Sequence, residues 1–559
     1  MTDKGTNPSP GGPVRIIPPD DFPVEWDSPE EAGLLWSWDN FHAPAPPTPM
    51  STTISEITRR GSDAANRAFG REPGPARRKF INGYPYWVVE PRRGGNGGEF
   101  KQRLADAIGS LEKRWVTEFL PELEADLAEM KAVDLDSLSD DGVVAHVDFV
   151  LQKANRHWEI HFLVVSPVHA AMDRLKEAYE KLVGEGAGEE AHALVDSTGT
   201  MTMEVNRALE RLGRSARSSG VVSAVILSGL DANQTITQLQ ESVDGRRWLA
   251  EFDSFMDAYG YRPPGYDMRF KTWREDPSFV FVNIRGHLDG AGEKAAGGGN
   301  AGERARIEER VAAALAEREE MRAEFEERLA QVREVWHLKE DHGFYIDQAS
   351  SSLVRMAIAE LGRRLARKGV IRDGEDVFFL ELGEATRAMG ELTHMQDVVS
   401  ERAARIEAWS ELSPVRFLGT IPAEDPPEEA MAQVRMAKGA DESRALEGQA
   451  ASAGRAYGPA RVVITPAQFG KVKQGDVLVC RSTSPTWTPL FSIVSALVSE
   501  AGGVLSHPAI IAREHGLPAV VGVIGATDLI VDGQFVEVDG DSGVVRISGV
   551  SGISGGEQR

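Results

Sequence analysis

The chain has 559 residues, is 41% hydrophobic and 26% charged, and carries a formal net charge of −24 at pH 7. That length allows two or three domains with sizeable cores, and the acidity argues against nucleic acid, whose backbone is bound by clustered Lys and Arg. The single cysteine, Cys480, cannot form an internal disulfide, no apolar run reaches membrane-spanning length, and no signal-like segment opens the chain. The expectation is therefore a cytoplasmic protein with no membrane and no nucleic-acid partner.

Residues 1–30 are rich in Pro, Gly and acidic side chains and are expected to form a disordered N-terminal arm. Residues 31–421 are expected to form a mainly helical substrate-binding domain. It opens with an extended, Pro-rich entry around Trp36, Trp38 and Phe41, and the run from Phe80 to Val89 reads as a strand and turn. From residue 100 to about 215 the apolar residues recur at helical spacing, as in Leu104, Ile108, Leu111, Trp115 and Leu120. Helices are predicted at 142–165, 168–184 and 219–236. His157 and His161 lie one helical turn apart. Trp158 stands where a zinc-protease motif needs glutamate, so the pair reads as core histidines or, for one of them, as a general base.

Tyr259 to Asp267 is a loop dense in aromatics that carries Arg262, with Trp273 just beyond. Such loops wall binding sites or staple helices together. Residues 286–302 contain a formal G-x-G-x-x-G, but no strand leads into it, so it reads as a flexible loop. A long charged helix is predicted over 302–337. Then Lys339 to Asp347 leads into a helix carrying Arg355 and ending near Lys368-Gly369, followed by a short strand over 376–380. His161, Arg262, Lys339, Asp347 and Arg355 are the substrate-pocket candidates, for holding phosphate or deprotonating a hydroxyl. Surface salt bridges are the alternative role for the charged ones, and the spacing singles out no metal ligands.

Residues 422–454 are acidic and Ala-rich and read as a linker. Beyond it, apolar runs at 461–465, 476–480, 518–522 and 534–538 predict strands, with helices at about 485–498 and 507–515. Residues 455–548 thus read as a small β/α domain and 549–559 as a disordered tail. The fold class is multidomain α+β.

Within the small domain an apolar run ends at Gly502-Gly503, Ser506-His507 follows, and Pro508 opens a helical pattern. Glycines allow a tight turn, and Pro suits the first helical turn. The free amides there, with the helix dipole, favour an anion. A histidine at this place can carry a phosphoryl group, since neutral imidazole is present at pH 7. Gly502, Gly503, Ser506 and Arg513 are the candidate phosphate supports, although Arg513 lies six residues past His507, nearly opposite it on the helix.

Gly502-Gly503, Ser506-His507, Ala512-Arg513-Glu514 and Gly516-Leu517-Pro518-Ala519 resemble the phosphohistidine swivelling domain of the phosphoenolpyruvate-utilising enzymes. The resemblance extends from Gly454 through Gly475-Asp476 and Thr483 to Pro489, and on to Asp539-Gly540. It implies that His507 carries the phosphate. Leu505 stands where the synthases and dikinases commonly have a regulatory threonine.

The Pro-rich entry and the 339–380 region resemble the larger subunit of phenylphosphate synthase-type aryl dikinases and, more distantly, rifampin phosphotransferase. No G-x-x-x-x-G-K-[ST] loop and nothing resembling an ATP-grasp domain occurs. The resemblance therefore implies a separate ATP-grasp subunit that uses ATP with Mg²⁺. It also implies a swing of the histidine domain and transfer to a small hydroxyl acceptor, a phenol, with AMP and phosphate as co-products. The alternatives are a component of a rifampin-type antibiotic phosphotransferase, or a non-enzymatic phosphocarrier or regulatory protein.

Overall fold

The computed structural model describes residues 13–547 apart from 74–76, 90–97, 196–198, 289–300, 425, 428–429, 432, 435–444 and 504–505. Trp36 and Trp38, and Tyr84 and Tyr86, alternate along two short strands and turn to one face, where Phe22 packs among them. Five strands build this sheet: β1 (Val14–Arg15), β2 (Leu35–Trp38), β3 (Arg78–Ile81), β4 (Tyr84–Val88) and β5 (Phe417–Ile421). All pairings are antiparallel, in the order β1-β5-β2-β4-β3. Residues 13–30, expected within a disordered arm, are held here: Val14 pairs with Ile421 and Phe22 is fully buried. The anchoring strand lies about 400 residues away, so local composition could not reveal it. Residues 1–12 and the tail 549–559 lie outside the described residues, as does 289–300 of the Gly-rich segment.

Helices make up most of the chain between these strands. A single helix, Asp140–Val183, replaces the two predicted around Pro167. An internal proline costs about 3 kcal/mol. The neighbouring Leu163, Val164, Val168, Ala171 and Met172 are all buried, and burying each large apolar side chain returns about 1.5–3 kcal/mol. The predicted 302–337 helix is broken into Ala301–Glu317 and Arg322–Val335. At the break Arg318 Nη1 donates to the carbonyls of Lys181 and Leu182, capping the long helix at 2.8 and 3.1 Å. The 219–236 stretch likewise divides into Gly220–Leu227 and Ala232–Gln240, the second opened by an Asp231 capping box. The strand expected at 376–380 is a 3₁₀ turn, Gly374–Phe379, which buries the adjacent Val377 and Phe378 together as a strand would not.

The C-terminal sheet has eight strands: β6 (Ala445–Glu447), β7 (Gln449–Ser452), β8 (Arg455–Val463), β9 (Val477–Cys480), β10 (Ala496–Ser499), β11 (Ala519–Val521), β12 (Phe535–Asp539) and β13 (Val544–Ile547). Their order is β6-β13-β12-β8-β9-β10-β11-β7, and the central β8-β9-β10-β11 run is parallel. Residues 445–452, expected in the linker, are therefore edge strands of this sheet, paired with β13 and β11. The helix expected at 485–498 is a 3₁₀ stretch, Pro485–Ser492, that gives way to β10. Pro485 and Pro489 withhold the amide donors that a continuous α-helix would use.

The C-terminal ends of the parallel strands face the helical domain. Arg481, just past β9, donates from Nη1 to the Pro44 carbonyl at 2.8 Å, and Ser482 Oγ donates to the Phe41 carbonyl at 3.1 Å. Trp487 Nε1 donates to the Pro264 carbonyl at 2.8 Å. Phe469 packs between Phe279 and Trp487, tilted to the first ring and edge-on to the second, with centroids 4.7 and 4.6 Å away. No helix among the described residues is long and apolar enough to cross a membrane.

Candidate active site

After β10 the chain leaves the sheet through Glu500-Ala501-Gly502-Gly503 and begins the helix His507–Glu514 with Ser506 at the N-cap position. The backbone thus puts His507 at the first helical residue, at the C-terminal edge of parallel strands where open α/β sheets bind ligands. Gly502 has φ +100°, and a β-carbon there would meet Ser506 Oγ at 2.5 Å. Ser506 Oγ donates to the Gly503 carbonyl at 2.7 Å, so it pins the turn and makes no cap bond to a helix amide.

Arg513 lies about 9 Å along the helix from His507. Its Nε donates to the Ala451 carbonyl at 2.6 Å, which ties the helix to β7 and makes this arginine an anchor of the domain. Glu500, which sequence reasoning passed over, accepts from both the amide and the hydroxyl of Thr527. Burial raises its carboxyl above the ordinary value despite those bonds.

Opposite the strand ends lies a group of imidazoles. His42 Nδ1 is 2.9 Å from Asp39 Oδ1, and the ring packs edge-on against Tyr266 with centroids 5.1 Å apart. Its side chain keeps 60% exposure although protein surrounds it closely. His169 is likewise exposed, yet burial, helped by the charge of Lys339, lowers it to about 4. Both facts fit residues on the wall of an internal cavity. Burial acts to lower the His42 pKa, but the Asp39 carboxylate outweighs it and the net shift is upward. His42 was not among the sequence candidates. It belongs to a stretch read only as an extended entry, and Tyr266, against which its ring packs, comes from a distant part of the chain.

The long helix turns Trp158, His161, Phe162, Val165 and His169 along one face at 3–4-residue spacing, each at least partly accessible. His161 Nδ1 is 2.9 Å from Asp347 Oδ1. Burial acts to raise the Asp347 carboxyl, but His161 holds it below the ordinary value. His157, one turn earlier, is instead fully buried between Ser350 Oγ at 2.8 Å and Asp126 Oδ2 at 3.2 Å. It is a satisfied core residue.

Lys339 lies near this group. Burial brings its ammonium down to about 8, opposed by Glu340, and the charge of Arg513 across the domain boundary lowers it further. Arg262 is buried over Trp273 and Phe344, and burial lowers it to about 9. It braces the aromatic loop.

Arg355, expected in the pocket, does not join the cluster. Its Nε donates to Glu275 at 3.0 Å, Nη1 to the Met268 carbonyl, and Nη2 to Glu375 at 2.9 Å. The guanidinium, 2% exposed at its side chain, ties the 268–275 loop to the turn at 375. An arginine on an apolar helix reads the same in sequence whether it meets a ligand or three protein acceptors.

Residues 472–543 match the PEP-utilising enzyme mobile domain, and residues 161–355 match the rifampicin phosphotransferase fourth domain. The chain is 31% identical to chondramide synthase cmdD of Chondromyces crocatus, over 97% of this chain and 14% of that protein. It is 30% identical to an uncharacterized phosphotransferase, YvkC, of Bacillus subtilis (strain 168), over 70% of this chain and 47% of the relative. A rifampicin phosphotransferase from Streptomyces sp is 32% identical over 57% of this chain and 37% of its own length. The chain spans less than half the length of each. The phosphoenolpyruvate-utilising resemblance is thus matched, and its counterparts include a rifampicin phosphotransferase; the phenylphosphate synthase likeness has no counterpart among these matches.

Proposed function

We propose that this chain, which carries a PEP-utilising mobile domain beside a rifampicin phosphotransferase-type domain, receives a phosphoryl group on His507 and passes it to a hydroxyl of an acceptor held by the helical domain. The acceptor is of the rifampicin kind in chemistry, a bulky, largely apolar natural product with a free hydroxyl, as the printed names of the relatives suggest. A small phenol is the second reading, favoured by the aromatic ring of Tyr266 beside His42. The observation that carries the proposal is geometric: the end of β9, paired beside the strand that leads to His507, docks on Phe41 and Pro44, which flank His42.

In the transfer the acceptor oxygen bonds to phosphorus as the P–N bond to His507 breaks, and the imidazole nitrogen keeps the electron pair. The hydroxyl proton goes to His42, whose Nδ1–H is oriented by Asp39 and whose raised pKa makes it a stronger base. Lys339, near the boundary, supplies positive charge beside the transferring oxygens. Because the swivelling domain must also meet a phosphate donor, docking has to be reversible. Burying Trp487 favours the docked state by about 2–3 kcal/mol, and each polar contact adds about 1 kcal/mol, a balance that a competing surface can shift.

The phosphoryl group comes from ATP on a separate nucleotide-binding unit of the ATP-grasp type, with release of AMP and phosphate. Mg²⁺ would enter with that nucleotide. It takes oxygen ligands, whereas the cluster of potential ligands among the described residues pairs two imidazoles with one carboxylate, so no step in this chain runs through Mg²⁺. The test incubates the chain with an added ATP-grasp protein, ATP, and a panel of hydroxylated macrocycles and phenols, followed by mass spectrometry. Acid-labile phosphate on His507 and a product heavier by one phosphoryl group are expected, and both should vanish in His507→Ala. Product formation by His507→Ala at the native rate would end the proposal.

A further inference from the structure

We propose that His161, His342 and Asp347 form a binding site for one divalent transition-metal ion of the Zn²⁺ or Mn²⁺ class in the wall of the acceptor cavity. One nitrogen from each ring and one oxygen from the carboxylate lie within 4.8 Å of one another. Two imidazoles and a carboxylate are the donor set that first-row ions take in sites that keep a position open.

The local structure prepares these donors. His342 Nδ1 donates its proton to the Leu338 carbonyl, which leaves the lone pair on Nε2. Such a bond on the far nitrogen is the usual device for orienting a ligating histidine. Nε2 has no protein hydrogen-bond partner among the described residues. The rings of His161 and His342 stand 4.6 Å apart between centroids at 71°, with no hydrogen bond joining them. The 2.9 Å between His161 Nδ1 and Asp347 Oδ1 is close to the about 3.0 Å between adjacent ligands of an octahedral ion bound at about 2.1 Å, and shorter than the roughly 3.4 Å of a tetrahedral one.

Asp347 belongs to a π-helical stretch, Phe344–Ser350, between the helices Leu338–Gly343 and Ser351–Arg367. On an α-helix residues five apart diverge, whereas the i→i+5 turn brings 342 and 347 toward one face. His161 shares a helix face with His169, both at least partly accessible, and an acceptor hydroxyl would approach the ion from that side. Holding the acceptor hydroxyl there rests on the phosphotransfer reading above; metal binding itself does not.

The test uses the tag-free full chain, stripped with chelator and then loaded with Zn²⁺ or Mn²⁺ alone. About one equivalent should survive desalting, measured by plasma mass spectrometry, and the metal should raise the melting temperature. His342→Ala and Asp347→Asn should each weaken binding about 10–100-fold and abolish the thermal shift, with unchanged circular dichroism. His394→Ala, at an exposed histidine, should bind as the native chain does. No stoichiometric metal in the native chain, or binding that survives both variants and falls with His42→Ala, would overturn the site. Either result leaves His507 phosphorylation unaffected, so failure here is distinct from failure of the transferase reading.

Discussion

His42 Nδ1 donates to Asp39 Oδ1 at 2.9 Å, and the same carboxylate oxygen accepts the His42 backbone amide at 3.2 Å. Asp39, three residues earlier in the chain, thus orients the imidazole with its Nε2 directed away from the carboxylate. Replacing it should separate the two halves of the reaction. His42→Gln should leave phosphorylation of His507 intact and slow transfer to the acceptor by about 10²–10⁴-fold. Because Asp39 raises the pKa, single-turnover transfer in the native chain should fall as pH drops below a midpoint above 6.5. Equal loss of both steps in the variant would show that His42 supports folding or docking and takes no proton.

Docking should itself depend on pH. His515 Nε2 faces Asn206 Nδ2 across the domain boundary at 3.4 Å, and as acceptor it must be unprotonated. Burial, with the charge of His287, lowers it to about 4 in the docked state; released, the ring returns toward about 6.5. The released form therefore binds the proton more readily between those values. Docking is fully favoured above pH 6.5 and weakens as pH falls toward 4. Small-angle scattering at pH 7.5 and 5.5 should show expansion at the lower pH, and His515→Gln should remove most of the change.

Gly502→Ala places a β-carbon against Ser506 on a backbone with positive φ. That strain costs about 1–3 kcal/mol and shifts the turn that sets His507. The expected result is a folded domain, by circular dichroism, with a much lower phosphohistidine yield. An unchanged yield would show that the turn tolerates the shift.

Arg355→Met should destabilise the helical domain by about 3 kcal/mol, since it leaves Glu275 beside a lost cation in a buried setting. Denaturant unfolding should report the loss, and hydrogen exchange should rise across 268–275. His507 phosphorylation should persist. A variant with native stability but no acceptor binding would return Arg355 to the pocket.

The helix start at His507 was legible because it is written in neighbouring residues. A Gly-Gly turn, an N-cap serine and a proline specify a helix start within seven positions. The single helix through Pro167 and the strand at Val14 were not legible, since the packing that overrides the proline and the partner that pairs the strand come from elsewhere in the chain. His161 and Asp347 were candidates by residue type alone. Nothing in their spacing, 186 positions apart, said that they touch.

By itself, then, the sequence determined the α+β class and the histidine that opens the helix after β10, because turn and cap preferences act over a few residues. Only the tertiary structure decided which groups face that histidine's domain, that Arg355 is a brace, and that His42, His161 and His342 gather around Asp347. Those outcomes depend on burial and on bonds between distant segments, whose energies are settled when the core closes.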